Sequence, residues 1–250
     1  FLVCGRSIRL LDIGAWFDAL TARTGIRVVR FDRVSPNPTC ELVEEALQAF
    51  RESRPEMIVA VGGGSALDVA KCVRLYGDAD PAADFLSQTP NPDAVRLLAI
   101  PTTAGSGSEA TRFAVIYKNG EKLSITNERC LPEAVLMDGR VLKKLPVYHK
   151  KAAMLDALCH GIESCWSVNS TAESEGYALE AIRRILENLD GYLAGDELSA
   201  GNMLLAAHTA GRAINITQTT AGFTFTRCLK SLKCLFRSRR RRILPCLPGQ

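Results

Sequence analysis

Several kinds of site are short of raw material in this chain. Only three histidines occur in 250 residues, at positions 149, 160 and 208. A metal centre built from several imidazoles is therefore not readily assembled. No apolar run approaches the roughly 18 residues that a membrane-spanning helix needs. No basic segment followed by an apolar one opens the chain, so a signal peptide is not expected. The nine cysteines include no C-x-x-C pair, which argues against a zinc ribbon, a thioredoxin-type motif or a disulfide framework. Scattered cysteines in helical patterns, Cys72 and Cys159 among them, instead fit reduced thiols in the cytoplasm. Acidic residues are absent after Glu197, whereas eight lysines and arginines crowd positions 227 to 242. Setting those eight aside leaves 23 basic residues against 27 acidic ones, a net of −4, so the formal charge of +4 belongs to a short tail. The remainder is ordinary for a globular protein, with 47% hydrophobic and 23% charged residues.

The most informative stretch that is present runs from Met57 to Lys71, MIVAVGGGSALDVAK. An apolar run of strand length, Met57 to Val61, meets Gly62-Gly63-Gly64-Ser65, and an apolar helical pattern follows with Asp68 and Lys71 on other faces. Strand, glycine turn and helix in that order present backbone N–H groups to a phosphate at a helix N-terminus. Glycines without Cβ let a pyrophosphate lie on the backbone, and Ser65 is expected as N-cap. The spacing is neither G-x-G-x-x-G nor a P-loop, and the plain alternative is a tight turn with no ligand. Around this stretch the pattern alternates. Strands are expected at 1–4, 27–31, 57–61, 96–100 and 134–137, with helices at 11–23, 41–53 and after the glycines. Asn119-Gly120 signals a hairpin between 113–118 and 122–126. This alternation predicts an α/β, Rossmann-like parallel sheet. Near Pro146 the texture turns helical, with helices expected at 152–166, 172–193 and 200–214. The organisation read from this is an α/β domain over 1–147, a partial all-α domain over 148–222 and a basic tail over 223–250.

Three further groups could carry chemistry. Pro101-Thr102-Thr103-Ala104-Gly105-Ser106-Gly107-Ser108-Glu109 follows a strand end, where open α/β sheets bind ligands, and could close over a phosphate or ribose. Asp156 and His160 stand at i, i+4, on one face of a helix, a spacing that offers two donors to one divalent metal and equally well makes a surface hydrogen bond. Asp32 is placed to meet a ribose hydroxyl and Asn37-Pro38 marks a turn, although either is equally loop polarity. Core packing and ordinary polar contacts account for Trp166 and His208.

Taken together, FLVCGRS, SPNPT, VGGGSALDVAK, IPTTAGSGSE, LPEAVLMD, DALCHGIES and AAHTAGRA resemble the iron-containing, group III metal-dependent alcohol dehydrogenase family over residues 1 to 222. ESCWSVNST and AINITQTTAG resemble its phosphonoacetaldehyde reductase branch. The resemblance implies a dehydroquinate synthase-like fold, NAD or NADP in the N-terminal domain, and Fe²⁺ or Zn²⁺ in a helical C-terminal domain that is incomplete here. It assigns the pyrophosphate to Gly63, Gly64 and Ser65 with Asp68 nearby, and the nicotinamide half to Thr102, Thr103 and Ser108. Asn37 and Lys122 become further cofactor contacts, Asp32 the adenosine-ribose candidate, and Asp156 and His160 the first two metal ligands. The implied reaction is hydride transfer between NAD(P)H and a metal-polarised small aldehyde, for this branch phosphonoacetaldehyde reduced to 2-hydroxyethylphosphonate. No membrane partner is implied, and a homodimer is left open.

The resemblance breaks after Gly222. Phe223 and Arg237 stand where the family has its two remaining histidine ligands, and neither binds a metal as imidazole does. The tail TFTRCLKSLKCLFRSRRRR reads as an aberrant, frameshifted segment; the rival reading, a nucleic-acid or anionic-membrane tail, carries less weight. The functional alternative is a non-catalytic relative that keeps nucleotide binding only, and a third reading keeps the architecture with dehydroquinate synthase or glycerol dehydrogenase chemistry.

Overall fold

A computed structural model describes residues 1–91 and 95–218. Five short strands form a parallel sheet: β1 (Leu2–Cys4), β2 (Arg30–Phe31), β3 (Met57–Gly62), β4 (Arg96–Pro101) and β7 (Ala134–Val135), in the order β2-β1-β3-β4-β7. Their side chains alternate between two apolar layers, as the period of a strand requires. Val3, Ile58, Ala60, Leu97 and Ala99 face α2 (Cys40–Ser53) and α3 (Gly64–Tyr76). Leu2, Cys4, Val61 and Ile100 face α1 (Asp12–Thr24) through Phe17. Both faces are thus apolar, which explains why these strands read as continuous hydrophobic runs.

The hairpin of β5 (Phe113–Lys118) and β6 (Glu121–Thr126) forms a separate antiparallel sheet, with Asn119 and Gly120 both at positive φ in its turn. Three long helices follow: α4 (Val147–Trp166), α5 (Ala172–Ala194) and α6 (Glu197–Thr217). Met154, Ala157, Ile185, Tyr192, Met203 and Leu204 form their common core. Local chemistry sets their starts. Thr171 and Ser174 make a reciprocal capping box on α5, and the Asp196 carboxylate accepts from the Ser199 amide on α6. A parallel sheet with an α/β N-terminal part and a helical C-terminal part is therefore the observed fold.

Three local expectations change. Only Arg30–Phe31 of the expected strand 27–31 joins the ladder. Helix α4 begins at Val147, directly after Pro146, rather than at Ala152. Ser65 is not an N-cap: helix α3 starts at Gly64 with Gly63 as cap residue, and no side chain caps it. Among the described residues no helix is long and apolar enough to cross a membrane. Phe223, Arg237 and the rest of the basic tail lie outside the described residues.

Candidate dinucleotide and metal site

Two loops leave the carboxyl edge of the sheet side by side. Gly62 is in register with Pro101, and the Thr102 amide donates to the Gly62 carbonyl at 2.9 Å. From there the glycine turn feeds α3, where the Ala66 amide donates to the Gly63 carbonyl at 3.0 Å and Gly64 and Ser65 provide the leading amides, at a dipole end that favours an anion. The partner loop closes against it. A Cβ on Gly63 would lie 3.0 Å from Thr103 Oγ1, and one on Gly64 would lie 2.9 Å from Ser106 Oγ. A side chain here would have to push Thr103 or Ser106 aside, so glycine suits the neighbouring loop as well as any ligand. Thr102, Thr103, Gly63, Gly64 and Ser65 are thus brought together.

The same loop is clamped from the helical side. A Cβ on Gly105 would meet the Ala153 backbone of α4 at 2.9 Å. Gly107, at φ +59°, sits against Ala207 and Gly211 of α6. Glu109, buried at 4% exposure, lies 3.5 Å from His208 Nδ1, and the Arg112 amide donates to Asn215 Oδ1 at 2.8 Å. The loop is thus sandwiched between the glycine turn and helices α4 and α6.

Beneath the loop, the Ser108 hydroxyl donates to Asp68 Oδ1 at 2.7 Å and accepts from the Lys71 ammonium at 2.9 Å. Burial pushes the Asp68 carboxyl up, opposed first by the Lys71 charge and more weakly by Lys122 on β6. Asp68, Ser108 and Lys122 therefore belong to one neighbourhood, with the Ser108 hydroxyl already committed to protein partners. Asn37, at φ +57°, lies beside the hairpin, because the Tyr117 amide donates to the Pro38 carbonyl at 2.8 Å and Tyr117 pairs with Lys122. Asp32 stands apart. It follows the edge strand β2, with β1 between it and β3, and Arg9 donates to its carboxylate at 2.8 Å. The residue that follows β1 at the level of Gly62 is instead Gly5, because Cys4 is in register with Val61, and Arg6 then opens a 3-10 turn.

The sequence reading includes Glu109 only as the end of the 101–109 loop and gives Lys71, Gly5 and Arg6 no functional role. Lys71 is 1% exposed, and its oxygen partners lie 37 to 42 positions away, which no local pattern reveals.

On α4, His160 Nε2 and Asp156 Oδ1 are 3.9 Å apart, too far for a hydrogen bond. Two donors about 2.1 Å from one tetrahedral cation stand about 3.4 Å apart, so the pair would have to close by about half an ångström to hold one ion together. His160 Nδ1 is buried without a partner, as are both carboxylate oxygens of Glu163 one turn on. Burial raises the Glu163 carboxyl; His160 opposes this and Asp156 adds to it. Among the described residues no three His, Cys, Asp or Glu side chains converge to complete a metal site.

Residues 1–139 match the iron-containing alcohol dehydrogenase family, and residues 150–226 match the C-terminal part of the Fe-containing alcohol dehydrogenase family. The chain belongs to the iron-containing alcohol dehydrogenase family. Among its relatives, phosphonoacetaldehyde reductase of Streptomyces viridochromogenes is 35% identical over 217 residues, covering 82% of this chain and 54% of that protein. The 1,3-propanediol dehydrogenase of Citrobacter freundii is 36% identical over 225 residues, covering 86% of this chain and 57% of that protein. The solved structure of sulfoacetaldehyde reductase from Bifidobacterium kashiwanohense in complex with NAD⁺ superposes with a TM-score of 0.80 at 26% identity, covering 88% of this chain and 60% of that one. The chain thus spans about half the length of the curated relatives it matches.

Proposed function

We propose that this chain seats a nicotinamide dinucleotide at Gly63–Ser65 and serves in the reduction of a small aldehyde or the reverse oxidation. The observation that carries this reading is the closure of Thr103 and Ser106 over Gly63 and Gly64, at an α-helix N-terminus on the carboxyl edge of a parallel sheet. The other half of the cofactor would run along the loop over Asp68 toward Lys122 and Asn37.

The strand next to the one that feeds the glycine turn, β1, is followed by Gly5-Arg6-Ser7, with no carboxylate there to accept from a ribose 2′-hydroxyl. An arginine near that position accommodates a 2′-phosphate. The cofactor we infer is therefore NADPH, with Arg6 as its 2′-phosphate contact. Asp32 is assigned no ribose role, because its carboxylate is committed to Arg9 one strand further out.

Asp156 and His160 would be two donors to a divalent metal, Fe²⁺ or Zn²⁺. When bound, such a cation polarises a carbonyl oxygen. Two donors alone do not hold an ion firmly. For this chain's own residues, the helix N-terminus binds the phosphates and the loop 102–108 orients the nicotinamide half. Ala153 beside Gly105 brings α4, and with it Asp156 and His160, up to that loop. The chain's similarity to phosphonoacetaldehyde reductase favours a small aldehyde with an anionic group as substrate. The second reading, dinucleotide binding without turnover, draws support from the missing third donor among the described residues. The six cysteines described, buried or half-buried and unpaired, favour a reducing compartment such as the cytoplasm.

Thermal-shift titration of the full chain with NADPH and NADH, with and without Fe²⁺ or Zn²⁺, tests the binding reading. NADPH oxidation with phosphonoacetaldehyde then separates the two functional readings.

A further inference from the structure

Lys71 buries a cation in the interior of the α/β part, at 1% exposure. Its Nζ meets five oxygens: the carbonyls of Ser108 at 2.7 Å, Thr111 at 2.9 Å and Phe113 at 2.6 Å, and the hydroxyls of Ser108 at 2.9 Å and Thr111 at 3.2 Å. An ammonium has three hydrogens, so five oxygens coordinate it more as they would a small cation than as separate hydrogen-bond acceptors. Asp68, three residues earlier on the same helix, supplies the countercharge through the Ser108 hydroxyl it shares. Burying an ammonium is costly unless it is hydrogen-bonded and charge-compensated; the oxygens satisfy its donors, while burial still holds Lys71 below the usual lysine range, opposed first by the Asp68 charge.

All five oxygens come from residues 108–113, the far end of the loop whose near end walls the glycine turn. Gly64 begins the same helix that carries Lys71 two turns later. The ammonium therefore ties the wall of the phosphate seat to the helix that forms its floor. The Asp68 carboxylate, which accepts from the Ser108 hydroxyl at 2.7 Å, is the second charged group of α3 that joins it to this segment. The opposite side of the loop is held by backbone close packing at Gly107 and Gly211 and by the Glu109–His208 and Arg112–Asn215 contacts to α6.

We propose that Lys71 is a positioning residue for dinucleotide binding, its ammonium filling a five-oxygen cage that holds the 102–113 segment against the N-terminal half of α3. The proposal rests on the reading of the glycine turn as a dinucleotide seat. The cage recognises an alkylammonium ion as such, so a free one can replace the side chain.

The test uses the full chain and its Lys71→Ala variant, with NADPH affinity read by nucleotide fluorescence. The truncation is expected to weaken NADPH binding by roughly tenfold or more, since it leaves several buried oxygens without their cation. n-Propylammonium, which restores the deleted atoms, is expected to recover most of that affinity and to raise the variant's Tm. Tetramethylammonium at equal ionic strength, too large and without N–H donors, is expected to do neither. Affinity unchanged by the substitution, or lost and not selectively recovered, overturns the proposal. If Lys71→Ala does not fold, Thr111→Val removes one cage oxygen and keeps the charge. It is expected to weaken NADPH binding by roughly threefold, and unchanged affinity there overturns the proposal equally. A wild-type chain that binds no dinucleotide overturns the functional reading and the positioning role with it. Selective stabilisation of Lys71→Ala by n-propylammonium would in that case still establish the cage.

Discussion

Gly107 and Gly211 touch across the seam between the sheet and the helices: a Cβ on Gly211 would come to 2.5 Å from the Gly107 carbonyl oxygen. One on Gly107 would lie 2.8 Å from the Gly211 Cα, and φ +59° at Gly107 disfavours any side chain there. Because backbone meets backbone, neither side can yield by rotating a side chain. Gly211→Ala is therefore expected to cost about 1–3 kcal/mol, the usual range for overpacking, and to lower the Tm by several degrees. It should also weaken NADPH binding, since Gly107 belongs to the loop that walls the glycine turn. Differential scanning calorimetry and a binding titration on the same sample check both effects.

The coenzyme preference follows from the end of β1. Gly5 follows Cys4, which is in register with Val61, and its own Cβ would meet the Val34 carbonyl at 3.2 Å and the Ser7 hydroxyl at 3.8 Å. Gly5→Asp places a carboxylate where a 2′-phosphate would lie and a 2′-hydroxyl could donate. The variant is expected to lose NADPH affinity by about tenfold or more and to gain for NADH. Arg6→Ala is expected to lower NADPH affinity alone. Parallel titrations with the two nucleotides decide the matter, and equal affinities in wild type and both variants would remove Arg6 from the site.

Glu163 gives a pH-dependent signature. Burial raises its carboxyl above the ordinary value of 4.5. Below that pH the folded and unfolded chains both hold the proton, so no penalty exists. As the pH rises past 4.5 the unfolded chain releases its proton first. Stability then falls until the folded carboxyl also ionises, and it stays lower above that point. Glu163→Gln removes the titration. Its Tm is expected to exceed that of the wild type by a few degrees at pH 7.5 and to converge with it near pH 4, measured in EDTA. A wild type equal in Tm at pH 7.5 would mean that the carboxylate has a partner.

The Asp156–His160 pair predicts weak metal retention. Fe²⁺ or Zn²⁺ bound by the chain is expected to be lost on dialysis, with His160→Ala and Asp156→Ala abolishing even transient binding and leaving NADPH affinity unchanged. Metal analysis before and after dialysis checks this. Stoichiometric metal retained by the wild type would show that further donors join the two.

Some of this architecture is legible in the sequence for local reasons. Apolar runs such as Met57–Val61 and Arg96–Ile100 become β3 and β4 because both faces of the sheet are covered, and Asn119-Gly120 makes its hairpin from backbone preferences alone. The start of α4 is less legible: Val147 and Tyr148 are largely exposed, so the apolar period begins only after the helix does. Ser65 has the chemistry of a cap but lies one residue inside the helix that Gly63 opens. Site residues held by distant partners were hidden altogether. Nothing near Lys71 announces its five oxygens, and nothing near Gly211 announces Gly107, 104 positions earlier. Asp32 follows a strand as a ribose-binding residue does, but strand order, which the linear sequence does not show, puts β1 between it and the turn.

The central claim is that the Gly63–Ser65 turn seats a dinucleotide phosphate. Isothermal titration of the full chain with NADPH, repeated on Gly64→Val, tests it most directly. The wild type is expected to bind one nucleotide saturably and more tightly than NADH. Gly64→Val, whose side chain must displace Ser106 and fill the space over the helix N-terminus, is expected to keep its circular dichroism and lose at least about tenfold in affinity. No saturable binding by the folded wild type, or equal binding by the valine variant, would contradict the account.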